Sequence, residues 1–306
     1  LHEAGTKVYV ARRVPELPEV EVTRRELEPQ LLGRVIERVR TTAPSYFFIT
    51  PPATLRKRLE GRSGVGLSRL GKYLVLELDD GARLLLHLGM TGQLFFSGAS
   101  SLGLLSALRG MALAPEKQTE GFTPDAHTHL VFEFGDRGPS LLFRDVRKFG
   151  KVEFLLHGAE SARLDKLGVD ALRATGAELH AAASVRKIAV KSLLLDQSVL
   201  AGVGNIYADE ALFLAGIHPK RSARRLKLAD CERLVAEVQR VMLRAIETGG
   251  SSISDYVRPS GERGSYQDER RVYGRSEEAC STCQTLIRRI VLGQRSTHFC
   301  PACQRR

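Results

Sequence analysis

Four cysteines near the C-terminal end carry the plainest chemistry in the sequence: Cys280-x2-Cys283, sixteen intervening residues, then Cys300-x2-Cys303. Two such pairs place four thiolates around one tetrahedral Zn²⁺, and a closed four-sulfur shell leaves no position for substrate, so the ion is structural. The other chemistry of Cys-x-x-Cys, dithiol redox, needs a strand and helix context that this segment lacks. Residues 280–306 hold five arginines and no acidic residue, so Arg288, Arg289 and Arg295 on a hairpin between the pairs can face phosphates. A solvated charged face is the plainer alternative. Cys231 stands apart in a helical stretch and reads as a small buried hydrophobe.

A second constellation lies in residues 191–219, where two helical patterns flank Ala201-Gly202-Val203-Gly204 and Asn205 opens the second helix. Glycines permit a tight turn there, and the free N–H groups of a helix start can seat a phosphate. An ordinary helical hairpin fits the same residues equally well. The Gly-x-Gly is no dinucleotide fingerprint, because no strand precedes it and the third glycine is missing. A third constellation is Pro15-Glu16-Leu17-Pro18-Glu19-Val20-Glu21. By itself it suits a first helical turn, where proline fits and the dipole favours carboxylates.

Two kinds of segment must position these groups. Within residues 16–32, Val20, Leu27 and Leu31 recur at helical spacing, and Gly33 supplies a stop. Apolar or alternating runs at 35–39, 73–78, 84–88, 130–134, 141–143 and 152–155, with turns such as Asp79-Asp80-Gly81 between them, predict antiparallel strands. From about residue 159 to 248 the pattern becomes Leu- and Ala-rich with helical period, at 191–200, 206–214 and 229–246. Strands followed by helices imply two separately packed units with a boundary at 156–165. Residues 286–292 and 296–299 suit the two strands of a zinc ribbon, while 97–128 and 249–267 read as loops.

Composition sets the class. The chain has 306 residues, with 43% hydrophobic and 26% charged, which excludes disorder and collagen-like structure. A net charge of +11 points to a polyanionic partner such as DNA or RNA. No apolar run approaches the roughly 18 residues of a membrane span. Glu3, Lys7, Arg12 and Arg13 interrupt the apolar runs of residues 1–14, so no secretory signal is read there and a cytoplasmic location is expected.

Together these constellations resemble the formamidopyrimidine-DNA glycosylase (Fpg/Nei) family of base-excision repair enzymes. The resemblance runs from Pro15 to the C-terminus through PELPEVE at 15–21, RLGKYLVLEL at 69–78, LHLGMTGQL at 86–94, RDVRKFG at 144–150, GVGNIYADEALFLAGIHP at 202–219, VYGR at 272–275 and QRSTHFCPAC at 294–303. PELPEVE, in place of a PEGPE-type start, is similar to the Fpg branch. The resemblance implies a multi-domain α+β fold: an N-terminal β-sandwich with a flanking helix (15–158), a helical domain with a helix-two-turn-helix (159–272) and a Cys₄ zinc ribbon (273–306). It implies a bifunctional DNA glycosylase and abasic-site lyase acting on oxidised purines in damaged double-stranded DNA, as a monomer with one structural Zn²⁺ on Cys280, Cys283, Cys300 and Cys303. In a bacterial cell it would work at the nucleoid.

By the same resemblance, Pro15 is the nucleophile, through its free secondary amine. Glu16 is the general acid/base, Lys72 contacts the phosphate at the lesion, and Arg295 completes this set as a phosphate clamp with Asn205. Met90, Arg147 and Phe149 fill the gap left by an extruded nucleotide, with Lys148 beside them on the DNA. Glu19 and Glu210 support the site, and Ser265 and Tyr266 belong to the loop that closes over the lesion. Fourteen residues precede Pro15 here, whereas the family's proline is N-terminal. Residues 1–14 are accordingly expected to be an extension outside the working protein, with Val14 at the position of an initiator methionine. If they are retained, the expectation becomes a non-catalytic, zinc-dependent binder of damaged DNA. Within the family, a Nei-like preference for oxidised pyrimidines is the alternative.

Overall fold

A computed structural model describes residues 14–99, 122–252 and 256–305. The first helix, α1 (Leu17–Leu31), has Pro18 and Glu19 in its first turn and ends at Leu32, after which Gly33 takes a positive φ of 77°. Its Val20, Leu27 and Leu31 are buried, as their spacing predicts. Two four-stranded antiparallel sheets follow. One has the order β1-β6-β7-β5, from β1 (Ile36–Thr41), β5 (Gly92–Phe96), β6 (Thr128–Phe134) and β7 (Leu141–Asp145). The other has the order β2-β3-β4-β8, from β2 (Gly64–Leu70), β3 (Tyr73–Leu78), β4 (Arg83–His87) and β8 (Lys151–Leu155).

The sheets form a sandwich around one core, in which Leu74, Leu76, Leu84 and Leu86 meet Ile36, Phe132 and Phe143, with α1 and the short α2 (Pro52–Leu59) contributing Leu27, Leu31, Leu55 and Leu59. Alternation explains which face each residue takes. Val75, Leu85 and Leu155 point the other way and are covered by Ala159 and Leu164. The sequence missed β2, β5 and α2. β2 (GVGLSRL) contains two glycines and little alternation, and its strand state comes from pairing with β3, Leu67 opposite Leu76.

The second core is helical: α3 (Gly176–Ser184), α4 (Val190–Leu195), α5 (Asn205–Leu214) and α6 (Leu228–Glu247). α6 buries Cys231, Leu234, Val235, Val238, Val241, Met242, Ala245 and Ile246 on one stripe, so Cys231 is a core residue as read. The helix expected over 191–200 is shorter. It stops at Leu195, because Asp196 accepts from the Ser198 N–H and hydroxyl while Gln197 bonds the Leu195 and Val203 carbonyls and the Gly202 N–H. Leu200–Ala201 then pairs in parallel with Val169–Asp170, making a two-residue ladder of β10 and β9. α4, these turns and α5 form the helix-two-turn-helix.

The last element is the hairpin of β11 (Arg288–Leu292) and β12 (Arg295–Phe299). Its two-residue turn, Gly293-Gln294, has φ of 51° and 61°, the backbone of a type I′ hairpin turn. Most of the loop expected at 97–128 lies outside the described residues, as do 253–255 of the loop at 249–267 and all of the expected extension except Val14.

Candidate active site and nucleic-acid interface

Where the sandwich faces the helical domain there is a cleft of about 830 Å³, lined among others by Glu16, Lys72, His87, Arg163, Lys166, Asn205 and Arg295. Val14 also lines it, and Pro15 is buried between Val14 and Glu16. Glu16 is the N-cap of α1, yet its carboxylate caps a different helix: it accepts from the N–H groups of Ile206 (3.0 Å) and Tyr207 (3.4 Å) in the first turn of α5. The Gly-x-Gly turn makes that approach possible. A Cβ on Gly204 would lie 2.1 Å from Glu16 Cδ, and one on Gly202, where φ is 102°, would lie 2.4 Å from Leu17. The α5 N-terminus, read as a phosphate seat or an ordinary hairpin, is thus occupied by a carboxylate of the same chain, which satisfies the same free N–H groups.

Burial raises the Glu16 pKa to about 7, against the opposing pull of the Lys72 ammonium and with further elevation from Glu19. A carboxyl near half-protonation at neutral pH can both give and take a proton. Glu19 stands behind it, buried and accepting from the Tyr207 hydroxyl (2.6 Å) and the N–H groups of Ser251 (2.8 Å) and Glu16 (2.9 Å). Its pKa is raised by burial despite those donors. Neither Tyr207 nor Ser251 was legible as a site residue; both are recruited from the helical domain by packing. Lys72 lies in the tight turn between β2 and β3, half-buried, with its pKa lowered by desolvation against the attraction of Glu16 and Glu19. It makes no hydrogen bond or ion pair among the described residues, which leaves its ammonium free for an anion in the cleft.

Asn205 and Arg295 come together at the far wall. Asn205 Nδ2 donates to the Ser296 carbonyl (3.0 Å) beside Arg295, and its Oδ1 is buried without a partner. Lys191 donates to the same carbonyl at 2.8 Å and pairs with Asp209 at 2.7 Å, while Asp209 accepts the His298 N–H at 2.8 Å. This joint fixes the hairpin to α4 and α5, and the I′ turn leaves the Arg295 side chain exposed at the cleft.

Met90, Arg147, Lys148 and Phe149 lie on two turns that pack against each other and are not among the residues lining the cleft. Asp145, fully buried at the end of β7, braces them: its carboxylate accepts from the Thr91 hydroxyl and from the N–H groups of Arg147 (3.2 Å) and Gly150 (2.6 Å). Gly89, at φ 65°, packs so closely on the 149–150 backbone that a Cβ would lie 2.4 Å from it, which ties the turn bearing Met90 to the one bearing Phe149. Lys148 has a positive φ of 58°, and Phe149 is exposed with the Arg147 guanidinium 4.5 Å from its ring centre. An exposed aromatic under an arginine, on a rigid turn, can enter a base stack. Sequence reasoning missed Asp145 and also Tyr46, whose hydroxyl donates to the Arg147 carbonyl at 2.6 Å.

Three expected residues lie elsewhere. Glu210 does not reach the cleft; it is buried and accepts the N–H groups of Arg271, Val272 and Tyr273 at 2.7, 2.9 and 2.7 Å, supporting the site only through Tyr273, which lines the cleft. Tyr266 is a core residue, packed 5.4 Å from the Tyr207 ring in the cluster that includes Met242 and Ile246 of α6, and its N–H donates to the Gly250 carbonyl just beyond that helix. Ser265 is exposed but donates to Thr248 and does not line the cleft.

The four cysteine sulfurs fit a zinc ion. All lie within 4.8 Å of one another, with Cys280–Cys303 at 4.0 Å and Cys283 at 3.4 Å from both Cys300 and Cys303. A tetrahedron with Zn–S of about 2.3 Å has edges of about 3.8 Å, so these sulfurs bracket the required shell. Cys280 and Cys300 are buried against Phe213, Val272 and Ile287, which gives the ion a packed base.

Three family models match the chain in succession: formamidopyrimidine-DNA glycosylase N-terminal domain over residues 14–152, formamidopyrimidine-DNA glycosylase H2TH domain over 167–257, and zinc finger found in FPG and IleRS over 277–306. Relatives named formamidopyrimidine-DNA glycosylase from Solibacter usitatus and Paracoccus denitrificans are 40% and 41% identical, over 96% and 95% of this chain and 100% of each relative. Among solved structures, the MutM (FPG) protein of Thermus thermophilus matches with a TM-score of 0.78 at 35% identity, covering 95% of this chain and 98% of that one. Lactococcus lactis Fpg in complex with DNA containing an abasic site matches with a TM-score of 0.78 at 33% identity, covering 95% of this chain and 100% of that one.

Proposed function

This chain belongs to the formamidopyrimidine-DNA glycosylase family, and from that membership and the cleft we propose a bifunctional DNA glycosylase and abasic-site lyase that excises oxidised purines from duplex DNA. The observation that carries this reading is Glu16. It is a carboxyl with a pKa near 7, adjacent in sequence to Pro15, at the floor of a cleft walled by Lys72, Arg163, Lys166 and Arg295.

In the proposed reaction the Pro15 nitrogen, as a free secondary amine, attacks C1′ of the damaged nucleotide, and the base departs with its bonding electrons and takes up the proton that the amine sheds. Glu16 protonates the sugar ring oxygen as the ring opens, giving an iminium between Pro15 and C1′. Loss of the C2′ proton to a base lets that cation draw in the electrons and expel the 3′ phosphate by β-elimination, and loss of the C4′ proton then expels the 5′ phosphate by δ-elimination. Lys72, Asn205 and Arg295 hold the flanking phosphates, while Met90, Arg147 and Phe149 fill the vacated stack, with Lys148 on the adjacent backbone. The zinc ion takes no part in the chemistry; bound to the four cysteines it holds the hairpin that carries Arg295. Residues 15–158, 159–272 and 273–306 divide this work as catalytic, DNA-binding and clamp units.

The Pro15 nitrogen is an amide while Val14 is attached, and an amide nitrogen is not nucleophilic, so the reading requires a chain that begins at Pro15. Borohydride trapping on an 8-oxoguanine duplex tests it. A chain beginning at Pro15 should become covalently attached to the DNA and one retaining Val14 should not; no adduct from the former overturns the reading. Intact-mass measurement of protein from the native gene shows which form the cell makes. Lactococcus lactis Fpg has also been solved with an oxidised pyrimidine in its DNA, so the same trapping on such a duplex tests the Nei-like preference.

A further inference from the structure

Away from the cleft, two segments of the helical domain are zipped together by their backbones. The N–H groups of Val190, Ala223 and Arg224 donate to the carbonyls of Arg221 (2.8 Å), Ile188 (2.8 Å) and Arg186 (3.1 Å), and Ala189 bridges Ser222. The pairing gathers Lys187 with Lys220, Arg224, Arg225 and Lys227, all exposed. None of these five side chains has an acidic partner among the described residues. Arg221, in the same segment, is paired with Asp230, and on the neighbouring α6 the exposed Arg233, Arg240 and Arg244 are each paired with a carboxylate. These neighbouring arginines are neutralised, whereas the five side chains are left as a group of uncompensated like charges, an arrangement whose mutual repulsion a polyanion would relieve.

Its position says which polyanion. The zipped segments meet the start of α4, whose Lys191 bonds the hairpin carbonyl next to Arg295, and the other end of α4 gives Leu195 to the cleft. A six-residue helix is about 9 Å long. The segments that bear the patch are thus joined to the clamp through the start of α4.

We propose that Lys187, Lys220, Arg224, Arg225 and Lys227 form an auxiliary surface for the sugar-phosphate backbone of duplex DNA, outside the lesion cleft. It rests on the reading of the cleft as DNA-binding. It adds sequence-independent, salt-sensitive affinity and holds the protein on undamaged DNA without touching the lesion. Each phosphate neutralised contributes about 0.9 to the slope of log K against log salt.

The test is binding of the full chain to an undamaged duplex of about 30 base pairs, followed by fluorescence anisotropy over a salt series. Arg224→Ser with Arg225→Ser should lower the slope by about 1.8, so that the affinity lost between 50 and 200 mM salt is about 12-fold smaller than in wild type. Lys57→Ser with Arg58→Ser, which removes the same charge from exposed positions of α2, should leave the slope unchanged. An unchanged slope in the patch variant, with wild type still binding, assigns the patch to another partner such as an acidic protein and overturns the proposal. An equal drop in both variants reduces the effect to net charge and also overturns it. Trapping on an 8-oxoguanine duplex, with both variants made on the chain beginning at Pro15, separates the two readings. Failed trapping with a lowered slope refutes the chemistry and spares the surface.

Discussion

Replacing Glu16 by Gln should make the protein more stable and less active, and the size of the first effect follows from the site. The side chain is 4% exposed, and its pKa of about 7 stands above the ordinary value of 4.5 because burial outweighs the attraction of Lys72. A folded value above the unfolded one means that the native protein keeps a proton the unfolded chain releases. The resulting stability is fully present below pH 4.5 and is lost as the pH rises through 7. The whole displacement corresponds to about 3 kcal/mol at 1.36 kcal/mol per unit. Between pH 5 and pH 8.5 the part realised is about 2.5 kcal/mol, since the unfolded carboxyl is already largely ionised at pH 5. Glutamine keeps the shape and an oxygen for the Ile206 N–H but carries no charge at any pH. Equilibrium denaturation of both proteins at the two pH values, followed by circular dichroism, should show Glu16→Gln gaining about 2.5 kcal/mol on wild type across the interval. Taking the difference cancels the other titrating groups. A flat difference, or one that moves against the variant, would refute the argument that desolvation dominates at Glu16. Excision by a chain beginning at Pro15 should fall by about 10²–10⁴ at pH 7 in the same variant.

Gly204→Ala should expel the Glu16 carboxylate from the α5 N-terminus, because the new methyl would sit 2.1 Å from Cδ; trapping should be lost and unfolding measurements should show a cost of about 2 kcal/mol. Phe149→Ala removes an exposed ring, so stability should change by less than about 1 kcal/mol. Single-turnover excision from duplex DNA should nevertheless fall about tenfold, through loss of part of the few kcal/mol that offset unstacking. Cys300→Ser should release zinc, measurable by metal analysis, and weaken DNA binding; unchanged affinity would contradict the placing of Arg295 by the zinc hairpin.

Much of this site was readable because its signals are local. The Cys-x2-Cys pairs fix four ligands within a short hairpin, and no distant residue is needed to see that they can meet. The alternation of 73–78 and the stripe of α6 report burial faces directly, since strand and helix periods are properties of neighbouring residues. The motifs that carried the family resemblance named Glu16, Lys72, Asn205 and Arg295, which line one cleft, and Met90, Arg147 and Phe149, whose turns pack together.

What sequence could not supply depends on partners far along the chain. Nothing in PELPEVE says that Glu16 will seat on N–H groups 190 residues away, and its raised pKa follows from that burial. Tyr266 looked available for a lesion and is a core residue, because folding of its segment onto α6 decided its burial. Glu210 was expected to support the site from nearby and is spent on the backbone of 271–273. Asp145 and Tyr46 gave no signal, since their roles consist of bonds to turns that other residues bring within reach. The sequence by itself determined which residue types were present and which local periods they followed. The tertiary structure alone decided their solvation and their partners, because the free energy of a charge depends on everything that displaces water around it.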